Sequence, residues 1–230
     1  MDIFNILKLA RKTFLTKHRR VYYSQFGEDA ILENMIGRKK SGIYVDVGCY
    51  HPKRFSNTYL LHKRGWSGIN IDMEEDKIFC FRLARPNDFN VVAAISCDKQ
   101  QVTIYRDREF SLGATINPTM GERMCVGGKV ERLTIETRTL NDIIESSPYC
   151  DTFIDVLSID CEGNDFSVLK SIDLKRYQPK IIIIEDQLKD IQKICIGETY
   201  QYLIKSGYVL RSWAHLSLIF VMIGSEFDNS

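Results

Sequence analysis

Acidic side chains cluster at the ends of two apolar segments of this chain. Asp160 ends the segment Val-Leu-Ser-Ile-Asp and is followed by Glu162 and Asp165, while Glu185 ends the run Lys-Ile-Ile-Ile-Ile-Glu. If both segments are neighbouring parallel strands, these carboxyl groups meet at one edge of a sheet. Crowded carboxylates raise one another's pKa, which suits Asp160 or Glu162 to general-base work. The alternatives are oxygen ligands for a divalent cation such as Mg²⁺ and, for Asp165, a helix cap.

A second set of candidate residues surrounds a single glycine. Gly48 ends a short apolar run and lets the backbone turn tightly beside a ligand. Tyr50 and Lys53 stand where a G-x-G-x-x-G loop has its other glycines, so the loop is poorly suited to NAD or FAD. Asp46 either accepts hydrogen bonds from a cationic amino-acid group or caps a turn.

Asp72 and His51, which follow this glycine in sequence, are two further candidate site residues. Asp72 ends the next apolar run, 24 residues after Gly48. An acid at this spacing suits the ribose hydroxyls of an adenosine ligand, and the alternative is a solvated acid at a strand end. His51, in the loop after Gly48, is either a base for a hydroxyl proton or a structural loop histidine.

Apolar runs that alternate with helical patterns position these residues. The pattern predicts strands over 43–47, 68–72, 90–96, 156–160, 180–185, 208–213 and 218–223. It predicts helices over 27–37, 56–64 and 76–84, one that begins at 165, and one over 198–205. Such alternation predicts an α/β fold with a parallel sheet covered on both faces, and the last two strands predict an antiparallel hairpin.

Residues 102–139 interrupt this alternation. The composition of 102–106 and 131–137 favours strands, whereas 111–128 is irregular and contains Gly and Met. A long irregular segment of this kind is either a lid or substrate loop or a plain surface excursion.

The first 22 residues are interpreted as a basic extension ahead of one domain over 23–230. Apolar residues recur in the extension at helical spacing, which leaves two interpretations. The helix either contacts an anionic membrane surface peripherally or packs on the domain with its basic face towards water. The basic residues are Lys8, Arg11, Lys12, Lys17, Arg19 and Arg20.

Composition limits the class of protein. The 230 residues are 44% hydrophobic and 27% charged with a net charge of +1, which fits one globular domain without a bias towards nucleic acid. Seven scattered cysteines without a CxxC pair fit neither a zinc site nor a disulfide framework and suit a reducing compartment. No apolar run reaches the roughly 20 residues that span a bilayer. We therefore expect a cytoplasmic protein, with membrane contact at most through residues 1–20.

Five short motifs occur in order between about residue 23 and residue 187. They are Ser24-Gln25-Phe26-Gly27-Glu28-Asp29, Val45-Asp46-Val47-Gly48, Phe55-Ser56-Asn57-Thr58, Gly65-Trp66-Ser67-Gly68 and Leu157-Ser158-Ile159-Asp160-Cys161-Glu162-Gly163. Together they resemble the FkbM family of S-adenosylmethionine-dependent methyltransferases. The resemblance implies a class I methyltransferase fold with a Rossmann-like, seven-stranded, mostly parallel sheet that ends in the hairpin.

The resemblance also implies roles for single residues. Asp46 and Gly48 would line the methionine end of S-adenosylmethionine, and Asp72 would bind its ribose. Asp160 and Glu162 would lie beside the transferred methyl group. The remaining cofactor residues, which would close over the cofactor or lie near the adenine, are Gln25, Asn57 and Ser96.

The expected activity is methyl transfer to a hydroxyl of a sugar or glycan intermediate, with Asp160, Glu162 or His51 as the base. The alternatives are an NAD(P)-type oxidoreductase on a similar sheet and a non-catalytic nucleoside-binding scaffold. The single glycine argues against the first, and the set of acids argues against the second. The near-neutral charge argues against a nucleic-acid substrate.

Overall fold

A seven-stranded sheet forms the centre of the fold in a computed structural model that describes residues 2–15, 20–127 and 129–228. The strands in chain order are β1 (Ile43–Val47), β2 (Ser67–Asp72), β3 (Phe89–Val92), β4 (Ala94–Ile95), β5 (Gln101–Arg106), β6 (Glu131–Arg138), β7 (Val156–Ile159), β8 (Ile181–Glu185), β9 (Tyr208–Ala214) and β10 (Ser217–Met222). The helices are α1 (Ile3–Phe14), α2 (Glu28–Ile36), α3 (Tyr59–Lys63), α4 (Glu75–Ala84), α5 (Pro118–Gly127), α6 (Leu140–Glu145), α7 (Asp165–Lys170), α8 (Leu174–Tyr177), α9 (Ile191–Ile196) and α10 (Glu198–Lys205).

The order of the large sheet is β3-β2-β1-β7-β8-β10-β9. Strands β3, β2, β1, β7 and β8 run parallel, and β10 pairs antiparallel with β8 and β9. The apolar runs 156–159 and 181–184 are buried in its centre, as expected of strands covered on both faces. The predicted fold class is confirmed. Because the strand order reverses between β1 and β7, their loops diverge and leave a crevice at the carboxyl ends.

The predicted strand over 90–96 is divided between two sheets. Strand β3 pairs with β2 as far as Val92, and the Ala93 amide donates to the carbonyl of Asp72 at 2.9 Å. The next residues leave the large sheet: β4 pairs with β6, and the Ser96 amide donates to the carbonyl of Arg138 at 3.0 Å. The pattern of apolar residues is continuous across this division, so it cannot locate the change of partner.

The segment over 102–139 forms a second sheet with a helix on it. The two predicted strands are confirmed as β5 and β6, which pair antiparallel, and α5 lies between them. An ion pair of 3.0 Å between Arg106 and Glu74 ties β5 to the start of α4. The segment is thus attached to the large sheet beside its carboxyl edge.

Helix α1 buries none of its residues against the described part of the chain. Its apolar side chains are largely exposed, Phe4 at 72% and Phe14 at 82%. The interpretation in which this helix packs on the domain is therefore wrong for the described residues. Lys17 and Arg19 lie outside the described residues, and the boundary near residue 22 stays a prediction. Among the helices described, none is long and apolar enough to cross a membrane.

A buried arginine holds the loop between β1 and α3. Arg85 is 0% exposed and donates to the Pro52 carbonyl, to Ser56 Oγ at 3.0 Å and to Thr58 Oγ1 at 2.9 Å. Thr58 Oγ1 donates in turn to Asp46 at 2.6 Å. A buried guanidinium is tolerated only when its donors are satisfied, so this network orders the loop that follows Gly48.

We expect Arg85→Met to lower the free energy of unfolding by roughly 3–5 kcal/mol, because it removes a buried charge and leaves its acceptors unpaired. Urea unfolding followed by circular dichroism measures the change. The control is Arg82→Met, since Arg82 pairs with Glu75 on the exposed face of α4 and should cost less than about 1 kcal/mol. Equal effects of the two variants would contradict the assigned role of Arg85.

Candidate active site

A cavity of about 260 Å³ opens at the carboxyl ends of β1, β2 and β7. Its centre is the close approach of two loops. Gly48 has φ +76°, and a Cβ there would lie 1.7 Å from the Asp160 carbonyl oxygen. The Asp160 amide donates to the Val47 carbonyl at 3.0 Å. Only a residue without a side chain fits between these loops.

Five of the predicted site residues line this cavity, contributed by the amino-terminal segment and by the ends of three strands. They are Gln25, Gly48, Asp72, Asp160 and Glu162. Glu185, at the end of β8, and Lys77, on α4, line it as well. The structure thus gathers carboxyl groups from three strand ends around one cavity.

Four predicted site residues lie outside the cavity wall: Asp46, Asn57, Ser96 and His51. Asp46 is 4% exposed and engaged with Thr58, while Asn57 Nδ2 donates to Ser158 Oγ at 3.1 Å. Ser96 Oγ is hydrogen-bonded to Ser167 Oγ at 3.0 Å, although Ala93, Ala94 and Ile95 just before it do line the cavity. These contacts give Asp46, Asn57 and Ser96 supporting positions behind the wall, and their cofactor roles stay predictions.

His51 acts as an acceptor within its own loop. Its Nδ1 accepts hydrogen bonds from the backbone amides of Lys53 at 3.0 Å and Arg54 at 2.9 Å. Burial and the nearby Arg54 lower the pKa of His51, so the ring is neutral at pH 7. With Nδ1 used in the turn, only Nε2 remains for any proton transfer, and the catalytic role of His51 stays a prediction.

Asp72 is held by backbone amides and a buried lysine. Its carboxylate accepts from the amides of Tyr50 at 3.1 Å and Glu74 at 3.0 Å, and Lys77 Nζ lies 3.4 Å away. Lys77 also pairs with Glu74 at 2.7 Å. Burial raises the pKa of Asp72, and Lys77 opposes that rise. The carboxylate therefore has a fixed orientation at the end of β2, next to the cavity.

Three carboxyl groups meet beside the cavity at the ends of β7 and β8. One oxygen each from Asp160, Asp165 and Glu185 lies within 4.8 Å of the others. Asp160 is open to solvent in the cavity, yet surrounding protein and then Asp165 and Glu162 raise its pKa well above its ordinary value. Burial and then Asp160 raise the pKa of Glu185 to about 9.

Asp165 belongs to the same cluster. Burial raises its pKa to about 7, although it accepts from the amides of Cys161 at 2.7 Å and Gly163 at 3.0 Å. Those two bonds shape the turn after β7. Asp165 is the first residue of α7, and the N-cap position belongs to Asn164, which makes no side-chain cap hydrogen bond, so the predicted capping role of Asp165 is wrong. At neutral pH the cluster therefore retains bound protons.

The second sheet holds Glu162 in place. Thr115 Oγ1 donates to the Glu162 carbonyl at 2.8 Å, and Asn117 Nδ2 donates to the Gly163 carbonyl at 2.9 Å. Asn117 Oδ1 accepts from the amide of Met120 at 3.3 Å, so the residue just before α5 also holds the turn that contains Glu162. The segment over 102–139 is therefore a wall of the cavity rather than a plain surface excursion.

Backbone strain concentrates at this cavity. Tyr50, Phe55 and Glu162 line it, with φ of +51°, +55° and +48°. A left-handed conformation costs a residue with a side chain about 1 kcal/mol or more, and such residues are enriched at functional sites. The strain places two aromatic rings and one carboxyl group at the cavity.

The amino-terminal segment before α2 closes one side of the cavity. Glu28 is 2% exposed and accepts from Ser217 Oγ at 2.8 Å and from the Phe26 amide at 2.8 Å. Asp29 accepts from the Tyr23 amide and from Ser24 Oγ, both at 2.6 Å. These bonds orient the segment so that Gln25 lies over the cavity.

A seven-stranded sheet of this order, with an acidic cavity where the strand order reverses, defines the class I methyltransferase fold. The family model described as "Methyltransferase FkbM domain" matches residues 46–210 of the chain. The chain belongs to this family and is a methyltransferase, which sets aside the oxidoreductase. Searches of curated proteins and of solved structures found no match to the chain.

Several residues of the site carry no recognisable pattern in the sequence. Lys77 pairs with Asp72 and Glu74, which precede it closely in sequence, but no local motif indicates that it is buried at a site. Arg106 pairs with Glu74, 32 residues earlier, and Asn117 bonds to a turn 46 residues away. Nothing in the sequence around Arg85 indicates that its side chain is buried. Glu185 is the exception, because it ends the most apolar predicted strand and the sequence therefore places it at the same sheet edge as Asp160.

We expect the ligand-free protein to lose stability as the pH rises from about 4.5 to 9. Glu185 holds its proton more tightly in the folded state, so the folded state binds more protons across this window and unfolding becomes easier with rising pH. Glu185→Gln should reduce the fall in Tm between pH 6 and pH 9 by about 4 °C or more. Differential scanning calorimetry measures it.

The control is Glu75→Gln on the exposed face of α4, which should keep the wild-type response to pH. If Glu185→Gln shows the same fall in Tm as the wild-type protein, that result would contradict the claim that Glu185 keeps its proton beside Asp160 in the folded state.

Proposed function

We propose that this methyltransferase uses S-adenosylmethionine and transfers the methyl group to a hydroxyl of a sugar or glycan intermediate. The observation that carries the proposal is the cluster of carboxyl groups that meets beside the cavity at the point where the strand order reverses. S-adenosylmethionine would supply an electrophilic methyl group on a cationic sulfur. A cation of this kind is stabilised by nearby carboxylates.

The residues present fit this cofactor. Glu185 Oε2 is buried next to Asp160, and the proton that these two carboxyl groups retain would leave when a cationic group binds beside them. Asp72 would bind the ribose hydroxyls with the lone pairs its amide donors leave free. Ala93, Ala94 and Ile95 offer an apolar edge against which an adenine would lie.

Asp160 and Glu162 are the proposed bases. Methyl transfer is an in-line displacement in which the enzyme mainly aligns the reacting atoms. One of these carboxylates would take the proton of the acceptor hydroxyl. The hydroxyl oxygen would then bond to the methyl carbon while the carbon–sulfur bond of the cofactor breaks and its electron pair stays on sulfur. Burial raises the pKa of Glu162 above its ordinary value, with Lys77 opposing part of that rise, and a raised pKa makes a carboxylate a stronger proton acceptor.

A divalent cation such as Mg²⁺ is a further proposal for the same carboxyl groups. Asp160, Asp165 and Glu185 each offer one oxygen to a common point, and hard cations favour oxygen ligands. Bound metal would hold these groups unprotonated and would orient an acceptor oxygen. Assays with and without EDTA, followed by Mg²⁺ addition, distinguish the metal-dependent from the metal-free reaction.

Binding of the cofactor is tested directly by calorimetry. S-adenosylmethionine should give saturable heat on the folded protein, while NAD should give none. A panel of nucleotide-sugars and glycans is then assayed for release of S-adenosylhomocysteine. Folded protein that shows no saturable binding of S-adenosylmethionine would contradict the proposal.

Asp160→Asn and Glu162→Gln should each remove a proton acceptor. We expect the variant that removes the base to lower kcat about 10²- to 10⁴-fold on the accepted sugar, with Tm nearly unchanged. His51→Asn keeps an acceptor for the turn amides and tests the histidine. Glu198→Gln, exposed at the start of α10, is the control. Wild-type kcat in both acid variants would refute the assignment.

We propose further that α1 binds an anionic membrane surface. Its exposed apolar side chains include Ile3, Phe4 and Leu7, and its charged residues within the helix are Lys8, Arg11 and Lys12. An apolar face next to basic residues is complementary to an anionic lipid interface.

Full-length protein should sediment with vesicles that contain about 30% phosphatidylserine and not with neutral vesicles, and salt should weaken the binding. Phe4→Ser with Leu7→Ser should weaken it about tenfold or more. Leu83→Ser is the control, because Leu83 is equally exposed on α4. Absence of vesicle binding, or an α1-dependent dimer in analytical ultracentrifugation instead, would overturn the proposal.

A further inference from the structure

A second cavity of about 550 Å³ lies beside the first. The two cavities share Leu112, Met120 and Glu162 in their walls. The rest of the second wall comes from the loop after β5, from α5 and from Lys129, all within the segment over 102–139. Because Glu162 faces both spaces, a molecule in the second cavity reaches the acids at the end of β7.

Helix α5 is fixed with one face towards the second cavity. Met120, Arg123 and Met124 line the cavity and are spaced three and four residues apart, which places them on one face of the helix. Gly121 packs on β5, where a Cβ would lie 2.3 Å from Tyr105 Cγ. This close packing determines which face the helix presents.

The wall of the second cavity carries basic side chains with few partners. Arg123 and Lys129 form no ion pair or hydrogen bond with any residue in the described ranges, and Arg108 has only a 4.0 Å contact with Asp107. Asp107 is occupied, since it accepts from Ser111 Oγ at 2.5 Å. The other acid in the wall is Glu162. The free guanidinium groups therefore favour an anion, and their planar donors match phosphate or carboxylate oxygens.

We propose that the second cavity is the acceptor subsite and that the acceptor is a sugar that carries a negatively charged phosphate or carboxylate group. This inference rests on the proposed function. The charged group binds between Arg108, Arg123 and Lys129, and a hydroxyl of the same sugar extends past Met120 to Glu162. The apolar side chains of Leu112 and Met124 contact the sugar ring between the two ends.

The test uses full-length protein saturated with S-adenosylhomocysteine and calorimetric titration of four probes: glucose 1-phosphate, glucuronate, glucose and inorganic phosphate. At least one charged sugar should bind about tenfold tighter than either glucose or phosphate, and more weakly as salt rises. Arg123→Gln with Lys129→Gln should remove at least tenfold of that affinity and leave binding of S-adenosylhomocysteine unchanged.

Arg82→Gln on the exposed face of α4 is the control and should bind as the wild-type protein does. Equal affinity for glucose and both charged sugars, or no loss in the double variant, would overturn the subsite. Inorganic phosphate that binds as tightly as glucose 1-phosphate would overturn the part that concerns the sugar. Failure of S-adenosylhomocysteine to bind counts against the proposed function instead, since selective binding of a charged sugar does not require it.

Discussion

The site depends on the close packing of two backbone segments between β1 and β7, where the strand order of the sheet reverses. The absence of a side chain at Gly48 lets the loop after β1 touch the carbonyl of Asp160 at the end of β7. A methyl group in this gap would push the two loops apart and move Asp160 away from Asp165 and Glu185. This packing also buries the carboxyl groups and brings them close together. Their burial and their mutual repulsion raise their pKa values.

Two networks outside the cavity keep that packing in register. On one side, the buried guanidinium of Arg85 orders the loop from Pro52 to Thr58 and reaches Asp46 through Thr58. On the other side, the second sheet grips the turn at Glu162 and is itself anchored to α4 through Arg106. The strained backbone conformations at the cavity persist because these hydrogen bonds and ion pairs hold the surrounding loops in place.

The sequence predicted the large sheet well because each central strand is a short apolar run bounded by polar residues or glycine, a local signal. It predicted Asp72, Asp160 and Glu162 at the cavity because parallel strand ends share one edge of a sheet. The sequence could not show that Asp46 and Ser96 lie behind the cavity wall, because hydrogen bonds to Thr58 and Ser167 determine their positions. The helix α5 and the division of the strand over 90–96 also depend on contacts distant in sequence, which local periodicity does not encode.

The central claim is that the acids at the ends of β2, β7 and β8 surround a cationic sulfur nucleoside. A crystal structure of the full-length protein with S-adenosylmethionine tests it most directly. We expect the ribose hydroxyls at Asp72, the adenine against Ala93–Ile95, and the sulfur nearest Asp160 and Glu185. Density for the nucleoside elsewhere on the protein, or a reversed orientation that places the adenine at Glu185, would contradict it.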